Sequence, residues 1–218
     1  FNNNGVAQTS SARVNDSAGT TVREYSSGDI TVFPTGNFVI AMRRNDEAGN
    51  PTGDEDDVIL QFYNSSGAKV GSNIIPGNDT GNDTTFTDFP GEFAYLSNGN
   101  VATVWNSRDP FTGSLDNDEY GSYVEIYNPT TGATVVSEFL PYSDQASTGR
   151  QRNPGIAALP GGGFVVTWTV NLAGAGGSFT SDAFYDVYMR VFNNSGVAQT
   201  SSVRVNDSAG TTVREYSS

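Results

Sequence analysis

The chain has 218 residues and a formal net charge of −13, from 24 acidic and 11 basic side chains. It contains no His and no Cys, which excludes Ser-His-Asp and Cys-His nucleophilic sites, imidazole zinc sites, disulfides and iron–sulfur ligation. The negative charge repels phosphate backbones, and no segment approaches about 20 apolar residues, so we expect neither nucleic-acid binding nor membrane insertion. The acidic, cysteine-free composition is typical of an extracellular or cell-surface protein, and we expect a bacterial one.

The two ends of the chain are near-copies of each other. Residues 1–27 and 192–218 are offset by 191 positions and are identical at 25 of 27 of them. The two differing pairs are Asn4/Ser195 and Ala12/Val203. Phe1 begins in the middle of this pattern, so we expect the chain to be mature, processed or an excerpt. The simplest interpretation is one complete period of 191 residues followed by the beginning of the next.

A weaker repeat divides this period into three units of about 64 residues. Three strand–turn–strand segments align without gaps from Thr31, Ala94 and Ala157, and their turn glycines are 63 residues apart. A second element with its own turn glycine follows each segment. The predicted boundaries are 1–27 for the end of a preceding unit, 28–90 for unit one, 91–153 for unit two, and 154–218 for unit three with the start of the next period.

Each unit is predicted to contain four strands, and unit three shows the pattern most clearly. The predicted strands are Ile156–Leu159, Phe164–Val170, Phe184–Phe192 and Val197–Val205. Asn and Gly mark the turns between them, and no segment of helical length has a 3.6-residue period. The sequence therefore predicts an all-β fold of repeated four-stranded antiparallel units, each like a propeller blade, with stacked β-sandwich modules as the alternative.

Two strings of unit three carry a family resemblance: PGGGFVVTW from Pro160 and YDVYMRVFNNSG from Tyr185. They resemble the repeat units of very long bacterial extracellular proteins, which are adhesin-like or haemolysin-type surface proteins. Unit one departs from the pattern with Met42, where the other units have Trp105 and Trp168. The resemblance implies a secreted, repetitive protein of fibrous or adhesive role, and it carries over no catalytic residue.

Two acidic loops are candidate calcium sites, because calcium binds six to eight oxygen ligands. Residues 46–57 hold six carboxylates within twelve positions, and the corresponding loop of unit two is also acidic. The candidate ligands are Asp46, Asp54, Asp56, Asp57, Asp116, Asp118 and Glu119. Neither loop has the ligand spacing of an EF-hand, so the alternative is a solvated acidic loop that maintains solubility.

Six Asn-x-Ser/Thr triplets are candidate glycosylation sites, which are surface features in a secreted protein. They begin at Asn15, Asn64, Asn78, Asn82, Asn193 and Asn206. Asn64 and Asn193 occupy the same turn in units one and three. The alternative is that these are ordinary turn asparagines, which tolerate positive φ.

We do not expect an enzyme. A glycosidase needs two carboxyl groups, for which Asp109, Asp116 or Glu92 would be candidates, but nothing in the sequence brings two of them together. Trp105 and Trp168 could stack on sugars, but their matching repeat positions favour core packing.

The sequence therefore predicts a structural repeat module of a secreted or surface fibre. Its modules would join head to tail through strand pairing and unit stacking, with copies of itself as partners. Residues 1–27 should contact a neighbouring module as 192–218 contact this one. The alternative is a calcium-dependent or carbohydrate-binding adhesion module.

Overall fold

The structure is a computed structural model. It describes residues 10–14, 24–45, 56–78, 88–89, 91–107, 121–144, 150–171 and 185–207. These residues form an all-β fold of three antiparallel sheets, as predicted. The helical structure within them is a single three-residue 3-10 turn at Pro76–Asn78. Within these ranges, no helix is long and apolar enough to cross a membrane.

Each sheet has four strand positions that follow one another in sequence order, as in a meander. The first sheet contains β1 Glu24–Val32, β2 Phe38–Asn45, β3 Asp56–Tyr63 and β4 Lys69–Ile74. The central sheet contains β5 Asp88–Phe89, β6 Phe93–Tyr95, β7 Val101–Ser107, β8 Gly121–Tyr127 and β9 Thr134–Phe139. The third sheet contains β10 Arg150–Ala158, β11 Phe164–Asn171, β12 Tyr185–Phe192 and β13 Val203–Arg204. In the central sheet, β5 and β6 both pair with β7 and share one strand position.

The first strand of each sheet is irregular at the same repeat position. The pairing register shifts between Ser27 and Ile30 in β1 and between Arg152 and Gly155 in β10. In the central sheet, the break between β5 and β6 lies at the corresponding place. The predicted unit boundaries fall at these irregularities, so half of each first strand precedes its boundary. The first strand of unit three therefore begins at Arg150, earlier than the predicted Ile156, because pairing continues past the irregularity.

The fourth strand of unit three is shorter than the predicted Val197–Val205. Regular pairing covers Val203–Arg204, and an isolated bridge joins Ala198 to Phe192. Between them, the hydroxyl of Thr200 accepts the hydrogen bond from the Val191 amide, so a side chain takes the place of a ladder carbonyl. Alternation of side chains alone could not predict this, because it does not show where a backbone leaves the ladder.

The central sheet lies between the other two. Val101 and Trp105 of β7 pack against the first sheet, whereas Ala102 and Val104 pack against the third. Successive strand residues point to opposite faces, so a strand covered on both sides buries all of its side chains. Every residue of β8 is accordingly buried. The three sheets therefore form a continuous face-to-face stack with one apolar core at each of its two interfaces.

The turns between the first two strands of each unit depend on glycine. Gly36, Gly99 and Gly162 have φ values of 82°, 85° and 97°, which side-chain-bearing residues rarely adopt. Each donates its amide to the carbonyl three residues earlier, which closes the turn. These are the turn glycines that the sequence repeat predicted, and they bring equivalent second strands into equivalent places in the three sheets.

Candidate functional site

The third strand of each sheet carries an apolar residue that faces the following sheet. Leu60, Val124 and Met189 each precede the turn asparagine of their unit by four residues. Leu60 packs in the core between the first and central sheets, and Val124 packs in the core between the central and third sheets. Both are 0% exposed, whereas Met189 is 37% exposed. The third sheet therefore presents to its outer side the face that the other two sheets bury.

The fourth strands show the same difference between inner and outer units. Ile74, Phe139 and Val203 each follow the turn glycine of their unit by seven residues. Ile74 packs against the core between the first and central sheets, and Phe139 packs against the core between the central and third sheets. Val203 is 48% exposed and is the strand partner of Met189. We call the outer side of the third sheet, with Val187, Met189, Val191 and Val203, the trailing face.

The opposite end of the stack shows the complementary pattern on the first strands. Phe93 and Ile156 each pack against the core that they share with the preceding sheet. Their equivalent in the first sheet is Ile30, which is 58% exposed and pairs with Ile40. We call the outer side of the first sheet, with Ile30, Val32, Phe38 and Ile40, the leading face. On this face Ile30 and Val32 are exposed, Phe38 and Ile40 are half-buried, and Met42, the equivalent of Trp105, is buried. Exposed apolar side chains thus lie at both ends of the stack, Met189 and Val203 at one end and Ile30 and Val32 at the other.

Polar side chains join adjacent units at a second equivalent position. Glu125 and Arg190 both precede their turn asparagine by three residues and reach the proline-containing turn that follows the fourth strand of the preceding unit. Glu125 Oε2 accepts a hydrogen bond from the Gly77 amide at 2.9 Å. Arg190 Nη1 donates to the Pro141 carbonyl at 3.1 Å. Glu125 accepts a hydrogen bond at the interface between units one and two, and Arg190 donates one at the interface between units two and three. The repeat position of the contact is therefore the same, although the side chains differ in charge.

The same two residues also bind the fourth strand of their own unit. Glu125 Oε1 accepts from the Thr134 hydroxyl at 2.9 Å, and Arg190 Nε donates to the Thr200 carbonyl at 2.9 Å. Gln61 is the unit-one equivalent, and its Nε2 donates to two carbonyls of β4. Each side chain therefore holds the edge strand of its sheet, and in units two and three it also fixes the neighbouring unit.

The buried carboxylate of Glu125 affects an adjacent tyrosine. Burial raises the pKa of Tyr127, and the charges of Glu125 and Glu138 raise it further. The phenol stays neutral at any ordinary pH, so Tyr127 serves here as a large packing residue in the core between the first and central sheets.

The fourth strand of unit three is anchored at Asp144, which comes from unit two. Asp144 accepts hydrogen bonds from the Ser202 amide at 2.7 Å and from the Ser202 hydroxyl at 2.5 Å. It also lies 3.3 Å from Nη1 of Arg190. Hydrogen bonds that an amide and a hydroxyl donate to a charged carboxylate are stronger than those between neutral groups, so this cluster fixes the strand edge across the unit boundary.

A second anchor holds the end of the same strand. Asp186 is buried at the beginning of β12 and accepts from Asn206 Nδ2 at 2.7 Å. Nη1 of Arg204 lies 3.7 Å from Asp186. Asn206 also accepts from the Val187 amide at 2.9 Å, so it bonds β12 through both a side chain and the backbone. Together the two anchors form a binding edge for a strand with Ser, Arg and Asn at alternate positions.

The anchor at Asp144 should weaken in acid. Burial raises the pKa of Asp144, but the hydrogen bonds from Ser202 and the charge of Arg190 outweigh it and hold the pKa below its ordinary value of 3.8. The stabilisation is therefore present above pH 3.8 and is lost as the pH falls through the lower folded-state pKa. We expect Asp144→Asn to lower the unfolding free energy at pH 7 by at most about 1 kcal/mol, because the group is largely solvated. Chemical denaturation at pH 7 and at pH 2 should show this difference becoming smaller in acid, and a difference of the same size at both pH values would contradict the assignment.

The predicted glycosylation residues that the structure describes lie in turns or at strand ends. Asn64 Oδ1 accepts from the amides of Ser66 and Ala68, and Asn193 Oδ1 makes the equivalent bonds in unit three. These bonds use the oxygen and not the nitrogen to which a glycan would be attached. Asn206 differs, because its Nδ2 bonds Asp186. Asn78 lies in the 3-10 turn, and Asn15 and Asn82 lie outside the described residues.

Most of the predicted calcium ligands cannot be placed in the fold. Asp46, Asp54, Asp116, Asp118 and Glu119 lie outside the described residues. Asp56 begins β3, and Asp57 forms an ion pair with Arg44 across the β2–β3 ladder. Among the residues that the structure describes, no three acidic side chains come together as a metal site. The candidate carboxylates Asp109 and Asp116 are likewise outside the described ranges, whereas Glu92 accepts from the Ile156 amide at 3.2 Å and so joins units two and three.

The prediction that the two tryptophans are core residues is confirmed. Trp105 is buried in the core between the first and central sheets, and Trp168 is buried in the core between the central and third sheets. Trp105 stacks on Tyr123, and Trp168 stacks on Tyr188. Sequence reasoning missed the inter-unit contacts of Glu125 and Arg190, although their equal distance from the turn asparagine was a signal that could have identified them.

Comparison with known proteins places few constraints on this chain. No family model matches it, and no curated protein matches it. A solved structure described as a BT0996 RGII complex aligns with a TM-score of 0.46 and 12% sequence identity over 89% of this chain. The alignment covers 59% of that other protein chain, so the present chain corresponds to less than two thirds of its length.

Proposed function

We propose that this chain is a structural repeat module of a secreted or cell-surface fibre, joined head to tail by stacking its trailing face on the leading face of another module. The observation that carries the proposal is the exposure of equivalent residues. Leu60 and Val124 are fully covered at the two interfaces within the chain, whereas Met189 at the end of the stack is not. A further unit stacked on the trailing face would cover Met189 as Leu60 and Val124 are covered within the chain.

Continuing the stack would be favoured by the hydrophobic effect. Burial of apolar surface contributes about 25 cal/mol per Å², so covering the exposed part of a Val or Met side chain contributes on the order of 1 kcal/mol. Val203 and Met189 on one face, with Ile30 and Val32 on the other, are large side chains with such exposed surface. Because both faces belong to the same chain and differ from each other, a head-to-tail contact is not a self-complementary dimer contact, and it generates a filament when successive rotations do not close into a ring.

The sequence pattern supports an extracellular and repetitive role. The resemblance to long bacterial surface proteins and the 191-residue period both point to modules that follow one another. The net charge of −13 would oppose side-to-side association between filaments, and glycans at turn residues such as Asn64 and Asn193 would add to this effect. Growth along the stack is then favoured over lateral aggregation. We propose no catalytic activity.

The proposal is tested by the assembly state of the 218-residue chain. Sedimentation velocity should show species that grow with protein concentration, and negatively stained samples should show unbranched filaments. Raising the salt concentration should not dissolve them, because apolar stacking is not screened by ions. A chain that remains monomeric at all concentrations would contradict the proposal.

Thermal melting with and without EDTA separates this proposal from calcium-dependent adhesion. A calcium site at a hundredfold excess of ligand over its dissociation constant stabilises by about 2.7 kcal/mol, which corresponds to roughly 5–10 °C for a chain of this size. The structural proposal expects no change in melting temperature or filament length on chelation. A large decrease in both would favour the calcium-dependent alternative.

A further inference from the structure

We propose that modules are joined by strand exchange, in which Ser10–Val14 of one copy replaces Ser201–Val205 of a second copy on the edge of β12. This inference rests on the proposed head-to-tail function and names the segment that makes the connection. The partner is a second copy of this chain. The binding edge is the one formed by β12 with Asp144 and Asp186.

The donor segment is available for pairing. Ser10–Val14 lie within the described residues, form no strand and are exposed except at Val14, which is half-buried. Their equivalents at the other end of the chain pair with β12 through Val203–Arg204. The sequence of this fourth strand therefore occurs twice in the 218 residues, at Ser10–Val14 and at Ser201–Val205, with one difference.

The acceptor edge would meet the same chemical groups in either copy. Its side-chain contacts are made by Ser202 to Asp144 and by Arg204 and Asn206 to Asp186. The equivalents of these three donors in the first copy are Ser11, Arg13 and Asn15, which are identical in type. Asn206 also accepts from the Val187 amide, a bond for which Asn15 has the same side-chain oxygen. The bond from the Val205 amide to the Val187 carbonyl, at 2.7 Å, joins backbone atoms and does not depend on the side chain.

The one difference within the paired segment costs little. Ala12 stands where the other copy has Val203, a side chain that is 48% exposed and contributes mainly its backbone to the ladder. The smaller side chain keeps the backbone pairing and removes part of one of the apolar side chains of the trailing face, while Val187, Met189 and Val191 remain. Among the described residues, the side-chain contacts of the acceptor edge are made by residue types that the first copy also has.

The acceptor's own fourth strand is tethered to β12, and its high effective concentration favours it over a strand from a second copy. Stacking of the donor's leading face on the acceptor's trailing face offsets this advantage. Nine residues separate Val14 from Glu24, where β1 begins. A donor strand on β12 therefore holds the leading face of its own module within about 30 Å of the acceptor's trailing face, given the reach of an extended chain. Exchange replaces one set of strand contacts by an equivalent set and adds the contact between the two apolar faces.

Disulfide trapping tests the exchange, and the absence of Cys from the chain removes background reaction. Met189 and Val203 are direct partners in the antiparallel ladder, so Met189→Cys in one copy should form a disulfide with Ala12→Cys in another. The two full-length single-Cys proteins are mixed under assembly conditions with oxidised glutathione, and the mixed dimer is measured on a non-reducing gel. The matched control replaces Ala12→Cys by Val135→Cys. The native side chain of Val135 is 50% exposed, close to the 48% of Val203, but it lies on the central sheet.

Adding Ser202→Ala to the Met189→Cys protein tests whether the donor strand competes with the acceptor's own fourth strand. This change weakens the acceptor's own strand but leaves Ser11 of the donor intact, so it should raise the yield of mixed dimer severalfold. Trapping with Ala12→Cys that greatly exceeds trapping with Val135→Cys, and that rises with Ser202→Ala, supports exchange. Equal trapping with both partners would show random collision and overturn it.

The same experiment separates the two proposals. If filaments form but Met189→Cys and Ala12→Cys do not react, modules stack without exchanging strands, and the exchange is overturned while the proposed function stands. If neither filaments nor the mixed dimer form, both proposals are overturned. Mass spectrometry of the trapped dimer identifies the joined peptides and confirms the register.

Discussion

Met189→Asp should abolish end-to-end assembly and leave the individual module folded. The side chain is 37% exposed on the trailing face, so an aspartate there remains hydrated in the isolated module. In a stacked pair, the same carboxylate would be covered by the leading face without a partner charge. An uncompensated buried charge costs about 3–5 kcal/mol, which corresponds to a rise of at least about a hundredfold in the concentration needed for assembly.

The same substitution at the equivalent inner positions should have the opposite outcome. Leu60→Asp and Val124→Asp place a carboxylate in a core where the native side chain is 0% exposed. We expect a loss of about 4 kcal/mol or more, which is a large part of the stability of an ordinary domain. Circular dichroism and chemical denaturation should therefore show unfolding for these two variants and a native profile for Met189→Asp.

Val135→Asp is the matched surface control for this series. Val135 is 50% exposed and lies on β9 of the central sheet, away from both end faces. We expect native stability and native assembly. The prediction for Met189 is wrong if Val135→Asp disrupts filaments equally, because the effect would then reflect added negative charge and not the position of the residue.

Trp168→Ala should destabilise the module by about 3–5 kcal/mol, the range for truncating a large buried aromatic side chain. Trp168 is completely buried between the central and third sheets, where it contacts Tyr142 and Tyr188. Its removal would leave a cavity at the interface that joins units two and three. Chemical denaturation followed by circular dichroism measures the loss, since Trp105 complicates a fluorescence readout.

Trp168→Phe distinguishes packing from hydrogen bonding at this position. Among the described residues, the buried indole nitrogen of Trp168 has no hydrogen-bond partner. Replacement by Phe therefore removes an unsatisfied donor while retaining an aromatic ring, and we expect a loss below about 1.5 kcal/mol. A loss as large as that of the alanine variant would contradict a packing role.

Much of the fold could be predicted from the sequence because it depends on local pattern. The turn glycines Gly36, Gly99 and Gly162 are recognisable by their equal spacing, and the strands beside them alternate or continue in apolar residues. The burial of Trp105 and Trp168 followed from their equivalent places in the repeat. These features need only the conformational limits of each residue type and the comparison of one unit with the next.

The contacts between units were harder to predict, because they join residues that are distant in the sequence. Glu125 and Arg190 occupy one repeat position, yet one accepts from an amide and the other donates to a carbonyl. Their opposite charges conceal the shared role. The density of carboxylates in the loops predicts calcium ligands, but it does not indicate that Asp144 and Asp186 hold the fourth strand of unit three, as they do in the structure.

The amino-acid sequence by itself determined the periodicity, the four-stranded unit and the absence of histidine and cysteine chemistry. Each of these depends on which residues are present and how they are spaced. The tertiary structure decided which face of each sheet is covered, and hence that Met189 and Ile30 are exposed while their equivalents pack against a core. Strand alternation defines two faces of a sheet, but only the packing of one sheet on another decides which of them remains in water.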